Sequence, residues 1–319
     1  MEIVKLKKEL VKQIKKHRNI YIIGHNYLDL DAFGALLSAS LIVKKFNKKP
    51  YVIIEDKELE PGVEKAIDKI KELNIINLNQ IKDLDNSLLI IVDTNKEKLV
   101  ACNQIIESFN TILVIDHHDM DKETIKNAIL FVDSEASSTC ETFAYLLRDL
   151  KVKFNSDIAT ILLSGIVLDT NNFILRADKD TFYCAHYLVS KNASPIEVQY
   201  LLKQDIKKFI TRQKMLTNVR IIDKKIAIAK GVQKEIYRRE DLAKVAETLL
   251  LFNNIETSFV IGNLNNKEIG ISGRTLGKTH IGKIMSKLNG GGNKAEGATK
   301  IESDDINEVE DQLIEILKD

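Results

Sequence analysis

Tryptophan is absent, and proline occurs only 3 times and glycine only 14 times in 319 residues. So little Pro and Gly excludes a collagen-like or linker-rich chain. Three cysteines, Cys102, Cys140 and Cys184, stand apart with no CxxC pair. The odd count and the spacing argue against a disulfide framework and a thiolate zinc site, and fit a reduced, cytoplasmic protein. No run approaches the roughly 18 apolar residues of a membrane helix; the longest, Ser87–Val92 and Ile161–Leu168, are of core size. Net charge is missing too: 47 Lys+Arg against 46 Asp+Glu leave +1, so no whole-protein basic field holds a long nucleic acid. The first residues carry charge but no apolar h-region, which is not the pattern of a signal peptide. Ile3, Leu6 and Leu10 instead predict an opening amphipathic helix.

What is present is an ordinary globular balance, 44% hydrophobic and 29% charged, over a length that suits two domains. The first half alternates short apolar runs with helical patterns. Ile20–Ile23, Tyr51–Ile54, Leu88–Val92 and Ile112–Ile115 read as strands, with helices over Ala32–Lys45 and Pro61–Leu73. That alternation predicts an α/β domain with a parallel sheet covered on both faces. Helices follow over Ser138–Asp149, Ser156–Leu168 and Lys179–Ser190, and this domain is expected over residues 1–191. Ser194–Asn218 reads as helix throughout, so residues 192–218 form a helical linker. The pattern then changes to a smaller mixed-sheet domain over 219–319, with strands at Val219–Ile222, Ile226–Ala229, Thr257–Ile261 and Glu268–Ser272, and helices at Arg239–Leu251 and Ile281–Lys287.

Charge is uneven at the C-terminal end. Asn265–Lys300 carries seven basic and two acidic residues around Gly290-Gly291-Gly292, a candidate phosphate-binding stretch, whereas Ile301–Asp319 carries eight acidic residues and one Lys. The acidic run reads as a solvated helix face with Ile306, Val309, Leu313, Ile316 and Leu317 turned inward.

The informative residues lie where the strands end. After Ile20–Ile23 come His25, Asp29 and Asp31; after Leu88–Val92 comes Asp93; after Ile112–Ile115 come Asp116, His117 and His118; Asp169 follows Ile161–Leu168. An Asp after a strand is ordinarily a cap or turn residue. Several apolar strands that each deliver carboxylate or imidazole to one sheet edge describe a single site, because ligands of open parallel sheets bind beyond the carboxyl ends of the strands. Five carboxylates together would repel without cations. Two divalent ions roughly 3.5–4 Å apart neutralise such a cluster and lower the pKa of a bound water. Carboxylate and imidazole without thiolate favour Mn²⁺, with Mg²⁺, Co²⁺ and Zn²⁺ kept open. In-line hydrolysis at phosphorus is the reaction that suits such a pair.

These motifs resemble the DHH–DHHA1 phosphoesterases. Asp116-His117-His118 is the DHH signature, His25-x-x-x-Asp29-x-Asp31-Ala32 resembles the first motif, Asp93 and Asp169 match two more, and Gly290-Gly291-Gly292 resembles the C-terminal GGGH motif. Glu135–Thr139, Ala177–Phe182, Thr257–Ile261 and Gly270–Arg274 are similar to the catalytic module of GdpP-type cyclic-di-AMP phosphodiesterases. In that branch the module follows membrane helices, a PAS domain and a degenerate GGDEF domain, so this chain is expected to be either a stand-alone relative or a catalytic piece of a longer, membrane-tethered protein.

The resemblance implies roles. His25, Asp29 and Asp93 would hold one metal, and Asp31, Asp93, His117 and Asp169 the other, with Asp93 bridging. Asp116 and His118 would orient ligands or phosphate and, with Asp93, count as catalytic. The hydroxyls of Ser137, Ser138 and Thr139, and a helix N-terminus there, would either cap or contact phosphate. Arg274, Gly290, Gly291, Gly292 and Asn293 would bind the distal part of the substrate, in a cleft between the domains. Two departures stand out. Tyr27-Leu28-Asp29 replaces Asn-Pro-Asp with the ligand spacing kept, and Asn293 replaces the GGGH histidine, which removes a group able to carry positive charge. The activity implied is hydrolysis of cyclic-di-AMP to linear pApA by a metal-activated water. The alternatives are a nano-RNase or pAp phosphatase acting on short linear oligonucleotides, and a catalytically weak module that binds a cyclic dinucleotide. No long nucleic acid and no membrane contact by the chain itself are expected; a homodimer is.

Overall fold

A computed structural model describes residues 3–54, 59–70, 73–82 and 84–318. The chain divides into two compact units, at Lys203/Gln204.

In the first unit, α1 (Ile3–Lys16) precedes β1 (Asn19–Ile23), α2 (Leu30–Lys45), β2 (Pro50–Ile53), α3 (Pro61–Lys69), β3 (Ile75–Ile76), β4 (Ser87–Val92), β5 (Thr111–Asp116) and β6 (Ile129–Val132). Four helices follow: α4 (Thr139–Asp149), α5 (Ser156–Asp169), α6 (Lys179–Ser190) and α7 (Pro195–Leu201). The expected helix over Pro61–Leu73 stops at Lys69, and Lys71 and Glu72 lie outside the described residues. All six strands are parallel, in the order β3-β2-β1-β4-β5-β6. The order reverses between β1 and β4, and a crevice for ligands opens at such a switch point.

The unbroken apolar runs arise because both faces of the central strands are buried. Ile20, Ile22, Leu88, Ile90, Val92, Leu113 and Ile115 pack into one core with α1, α2, α4 and α5. Tyr21, Ile23, Leu89, Ile91, Ile112 and Val114 pack into another. That second face is covered by turns, including 3₁₀ segments at Glu97–Leu99 and Asn103–Ser108, with Ile106 and Phe109 packed inward. The amphipathic opening helix is as expected. Leu6, Leu10 and Ile14 are fully buried, each stabilising by about 1.5–3 kcal/mol.

α2 is buried nearly all round, between the sheet and α4 and α5. Two glycines let these elements close up. A Cβ on Gly34 would lie 2.5 Å from the Cys140 sulfur, and one on Gly165 of α5 would lie 2.9 Å from both Asp31 Cα and Asp31 Oδ1. α5 therefore touches the first turn of α2 where Asp31 sits.

The second unit comprises α8 (Ile206–Met215), β7 (Val219–Ile222), β8 (Ile226–Lys230), α9 (Arg239–Leu249), β9 (Thr257–Asn263), β10 (Glu268–Thr275), α10 (Ile281–Lys287), β11 (Gly291–Gly292), β12 (Glu296–Glu302) and α11 (Ile306–Lys318). Its sheet runs β11-β12-β10-β9-β8-β7, with only β8 and β9 parallel. α11 turns Ile306, Val309 and Leu313 into the core, as its spacing predicts, with Ile316 and Leu317 partly buried against it. The stretch expected to be continuous helix from Ser194 to Asn218 is instead two helices. Leu202 closes α7, and the Asp205 carboxylate starts α8 afresh by accepting from Lys208 N–H at 2.9 Å. Among the described residues no helix is long and apolar enough to cross a membrane.

Candidate metal centre

The strand ends do converge. β1 leads to His25 and Asp29, β4 to Asp93, and β5 ends on Asp116 with His117 following; these strands are neighbours in the sheet. Asp93 directly follows the last apolar residue of β4, and its backbone takes the left-handed conformation (φ 60°) while its N–H donates to Ile115 O at 3.0 Å. A non-glycine residue in that region is costly, and here the turn carries an almost fully buried carboxylate into the centre of the cluster.

Asp29 serves as both cap and cluster member. Its Oδ1 accepts from Asp31 N–H (2.9 Å) and Ala32 N–H (3.0 Å) at the start of α2, and its Oδ2 lies 3.8 Å from His25 Nε2. His25 Nε2 is 3.3 Å from Asp93 Oδ2, and its Nδ1 lies 2.6 Å from Asn26 O. Against burial, which acts the other way, His25 and the two amides hold the Asp29 carboxyl down at about 2. Asp29 and Asp93 hold the His25 ring well above its ordinary value, again against burial.

Asp31 is fully buried. Its two oxygens accept from Thr139 N–H (2.7 Å) and Cys140 N–H (2.8 Å), the first amides of α4. The helix N-terminus thus receives a carboxylate of this chain, which the helix dipole favours. Burial, then the charges of Asp93 and Asp169, push Asp31 well above the carboxylate range; burial with Asp29 and Asp93 does the same to Asp169. Burial also raises the Cys140 thiol, so no thiolate joins the cluster.

His117 supplies the sharpest sign of what the cluster is suited to hold. It is 2% exposed, and Nε2 lies 3.1 Å from Asp169 Oδ2 and 3.5 Å from Asp93 Oδ1, yet neither ring nitrogen is aligned for a hydrogen bond. Leaving a buried polar atom unsatisfied costs about 1–3 kcal/mol. A ring nitrogen beside crowded carboxylates that repel one another is what a divalent cation requires of its ligands. Among the described residues, three groups have donor atoms within 4.8 Å of one another: His25/Asp29/Asp93, Asp31/His117/Asp169 and Asp93/His117/His118. They interlock through Asp93 and His117, so the residues present fit divalent metal.

Asp116 works behind them. Its Oδ1 accepts from His117 N–H (2.7 Å), His118 N–H (3.2 Å) and His118 Nδ1 (2.8 Å), and Asn95 Nδ2 donates to its Oδ2 at 2.6 Å. Despite partial desolvation, the Asp116 hydrogen bond and the nearby Asp93 and Asp169 charges raise His118 to about 9. Asn95, fully buried, also donates to His118 O at 2.9 Å. Sequence reasoning passed over Asn95, though its position two residues beyond Asp93 is a signal of the same kind.

The Ser137–Thr139 hydroxyls are committed within the protein. Ser138 caps α4 by accepting from Glu141 N–H (3.0 Å), Ser137 donates to Glu141 Oε2 (2.5 Å), and Thr139 donates to Asp93 Oδ1 (2.7 Å). All three are buried. Of the two readings open in the sequence, capping is what the geometry contains, and Thr139 adds a brace on Asp93.

In the second unit, Arg274 pairs with Glu247 (3.3 Å) and Glu296 (3.6 Å) and donates through Nη1 to Gly273 O (3.0 Å) and Ser272 Oγ (3.3 Å). The Gly290 amide donates to Met285 O at 2.8 Å, so it is not free for a phosphate. Gly291 and Gly292 form the edge strand beside β12; Gly292 sits at φ 148°, where an added Cβ would lie 2.3 Å from Glu296 O. Asn293 closes the following turn, its Oδ1 accepting from Ala295 N–H (2.8 Å) and Glu296 N–H (3.0 Å). That explains an Asn where the motif has His: the amide oxygen satisfies two backbone donors.

Comparison with known proteins agrees with this architecture. The DHH family N-terminal domain matches residues 19–166, and the DHHA1 domain matches residues 223–319. The cyclic-di-AMP phosphodiesterase PdeA of Listeria monocytogenes is 35% identical over 312 residues, 94% of this chain and 47% of PdeA. The cyclic-di-AMP phosphodiesterase GdpP of Geobacillus thermodenitrificans is 33% identical over 322 residues, 98% of this chain and 48% of GdpP. The chain thus spans about half the length of these curated relatives. An exopolyphosphatase-related protein from Bacteroides fragilis shares the fold, with a TM-score of 0.80 at 17% identity, covering 98% of this chain and 96% of that one. With the carboxylates and imidazoles of its motifs gathered at one sheet edge and both domains matched in order, the chain belongs to the DHH–DHHA1 family.

Proposed function

We propose that this chain is a divalent-metal-dependent phosphodiesterase that opens cyclic-di-AMP to linear pApA. The observation that carries the reading is the interlocked ligand set, in which Asp93 and His117 each belong to two groups of cation-capable side chains. His25, Asp29 and Asp93 would hold one ion, and Asp31, Asp93, His117 and Asp169 a second, with Mn²⁺ the metal that suits the donors best. When bound, the ions supply Lewis acidity toward a phosphoryl oxygen and lower the pKa of a water.

The chain's own residues do the rest. The α4 amides and the Thr139 hydroxyl fix Asp31 and Asp93, so both carboxylates are oriented before any ligand arrives. Asp116 fixes the His118 ring through Nδ1, which turns Nε2 outward on a side chain 52% exposed. The protonated form of His118, which its hydrogen bond to Asp116 favours, donates to a non-bridging oxygen or to the departing ribose 3′ oxygen. Hydrolysis adds one water: the new P–O bond forms opposite the breaking P–O3′ bond, and the ribose 3′ oxygen gains the proton. Arg274 is the residue of the second unit assigned to substrate. Three free cysteines, two of them buried, suit a reducing compartment, and we place the chain in the cytoplasm.

The names of PdeA and GdpP support the substrate. The test is turnover by the purified chain with Mn²⁺, comparing cyclic-di-AMP, cyclic-di-GMP, pApA and pAp by chromatography. Consumption of cyclic-di-AMP with accumulation of pApA is expected. Preferential consumption of pApA or pAp would replace this reading with a nano-RNase or phosphatase, and binding of cyclic-di-AMP without turnover would replace it with a sensor module.

A further inference from the structure

Beyond α5 the chain takes an unusual path. Asn171, Asn172, Phe173 and Arg176 all adopt left-handed backbone conformations, with φ of 45°, 59°, 63° and 54°. Asn tolerates this region; Phe and Arg do so at a cost. The segment is tied down at both ends. Thr170 O accepts from Ile174 N–H (2.9 Å) and Leu175 N–H (2.8 Å), Phe173 stacks on Phe182 with ring centroids 5.3 Å apart, and Asp178 caps α6. Strain held by its surroundings in this way concentrates at functional sites.

The strained path delivers Arg176 to the metal centre. Its Nη2 donates to Ser134 O at 3.0 Å and lies 3.4 Å from both His117 O and Ala136 O. One guanidinium nitrogen thereby bridges the loop that carries His117 and the turn that leads into α4. Nε and Nη1 make no hydrogen bond among the described residues, and the residue is exposed. No Lys or Arg among the described residues forms an ion pair with Asp29, Asp31, Asp93, Asp116 or Asp169, but the Arg176 charge reaches Asp169. A fixed cation with unmet donors, beside a carboxylate cluster it does not neutralise by contact, is placed for an anionic ligand.

We propose that Arg176 is a substrate-binding residue: anchored through Nη2, it offers its remaining donors to a non-bridging oxygen of a phosphodiester at the metal centre. This rests on the phosphodiesterase reading. The test compares wild type with Arg176→Ala and Arg176→Lys, measuring KM and kcat for cyclic-di-AMP and for bis(p-nitrophenyl) phosphate, Mn²⁺ affinity by chelator competition, and melting temperature. For Arg176→Ala, KM should rise about 10–100-fold, the range for a hydrogen bond to a charged group. Mn²⁺ affinity should stay within about twofold, because Arg176 is no ligand. Arg176→Lys keeps the charge and should recover part of the loss in KM.

An unchanged KM in Arg176→Ala would overturn the proposal. So would parallel losses of Mn²⁺ affinity and melting temperature large enough to account for the effect, since these mark a purely structural pin. If wild type cleaves bis(p-nitrophenyl) phosphate in an Arg176-dependent way but leaves cyclic-di-AMP intact, the Arg176 assignment stands and the cyclic-di-AMP reading falls. Wild type inert toward both esters overturns both.

Discussion

Two turns in this molecule carry the residues a phosphate site would use: Ser137–Thr139 before α4 in the first unit, and Gly290–Asn293 after α10 in the second. In the first, the leading helix amides are taken by Asp31 and the hydroxyls by Glu141 and Asp93. In the second, the Gly290 amide goes to Met285 and the Asn293 oxygen accepts two backbone N–H groups. The difference lies in what each turn supports. The first braces Asp31 and Asp93 in the candidate metal centre, whereas the second holds an edge strand in register with β12. Groups free for a ligand are recognised by an unmet hydrogen-bond requirement, as at His117 and Arg176, and residue type alone does not reveal it.

That contrast can be broken most sharply at Asp93. Asp93→Ala removes a residue common to two ligand groups, and kcat/KM should fall by at least about 10³-fold, several kcal/mol of transition-state stabilisation. Retained turnover with Mn²⁺ would sink the shared-ligand assignment. Next comes Gly165→Ala, which drives a methyl group against Asp31. Overpacking of this kind costs about 1–3 kcal/mol, so a lower melting temperature and weaker Mn²⁺ binding should appear together. If Mn²⁺ affinity is untouched, the close approach of α5 does not set the position of Asp31.

Cation removal tests the electrostatics of the carboxylates around the first turn. The folded-state values of Asp31 and Asp169 are raised. Their contribution to stability is therefore fully present below the unfolded carboxylate value of about 4 and is lost as pH rises through the raised values. In EDTA the melting temperature should fall as pH rises over that window, and the gain on adding Mn²⁺ should widen, since the ligands bind cations in their deprotonated form. A gain independent of pH would contradict the assignment. The smallest effect belongs to the second turn. Asn293→Ala should lower stability by about 1 kcal/mol and leave Mn²⁺ affinity where it was, as denaturant unfolding and chelator competition would show.

His25, Asp29, Asp31, Asp93 and His117 were legible because they come in the loops and first helical turn after apolar strands buried on both faces, and Asp169 because it closes the buried helix α5. The sheet itself was legible for the same reason. β6 was not, because its residues are only partly buried, and neither was the two-residue β3 at the sheet edge; nor were the short β11 and the largely exposed β12. Arg176 was hidden because its position depends on a succession of left-handed residues with no periodicity, and on acceptors about 40 and 59 residues away. The phosphate reading of Ser137–Thr139 missed the contribution of Asp31, which lies 108 residues before Thr139. Nothing local in either segment announces that pairing.

The grip of the α4 amides on Asp31 also bears on when the chain becomes able to bind divalent ions at this cluster. One candidate ligand, Asp31, comes from the first turn of α2, and its orientation waits for a helix made much later in the sequence. Such distant contacts form only once the intervening loop has closed. The complete ligand set therefore belongs to the finished fold, and cations bound there act on folding by mass action, drawing the equilibrium toward the native chain. A nascent or partly unfolded chain presents scattered carboxylates and no chelate, which makes tight metal uptake a report that folding is complete.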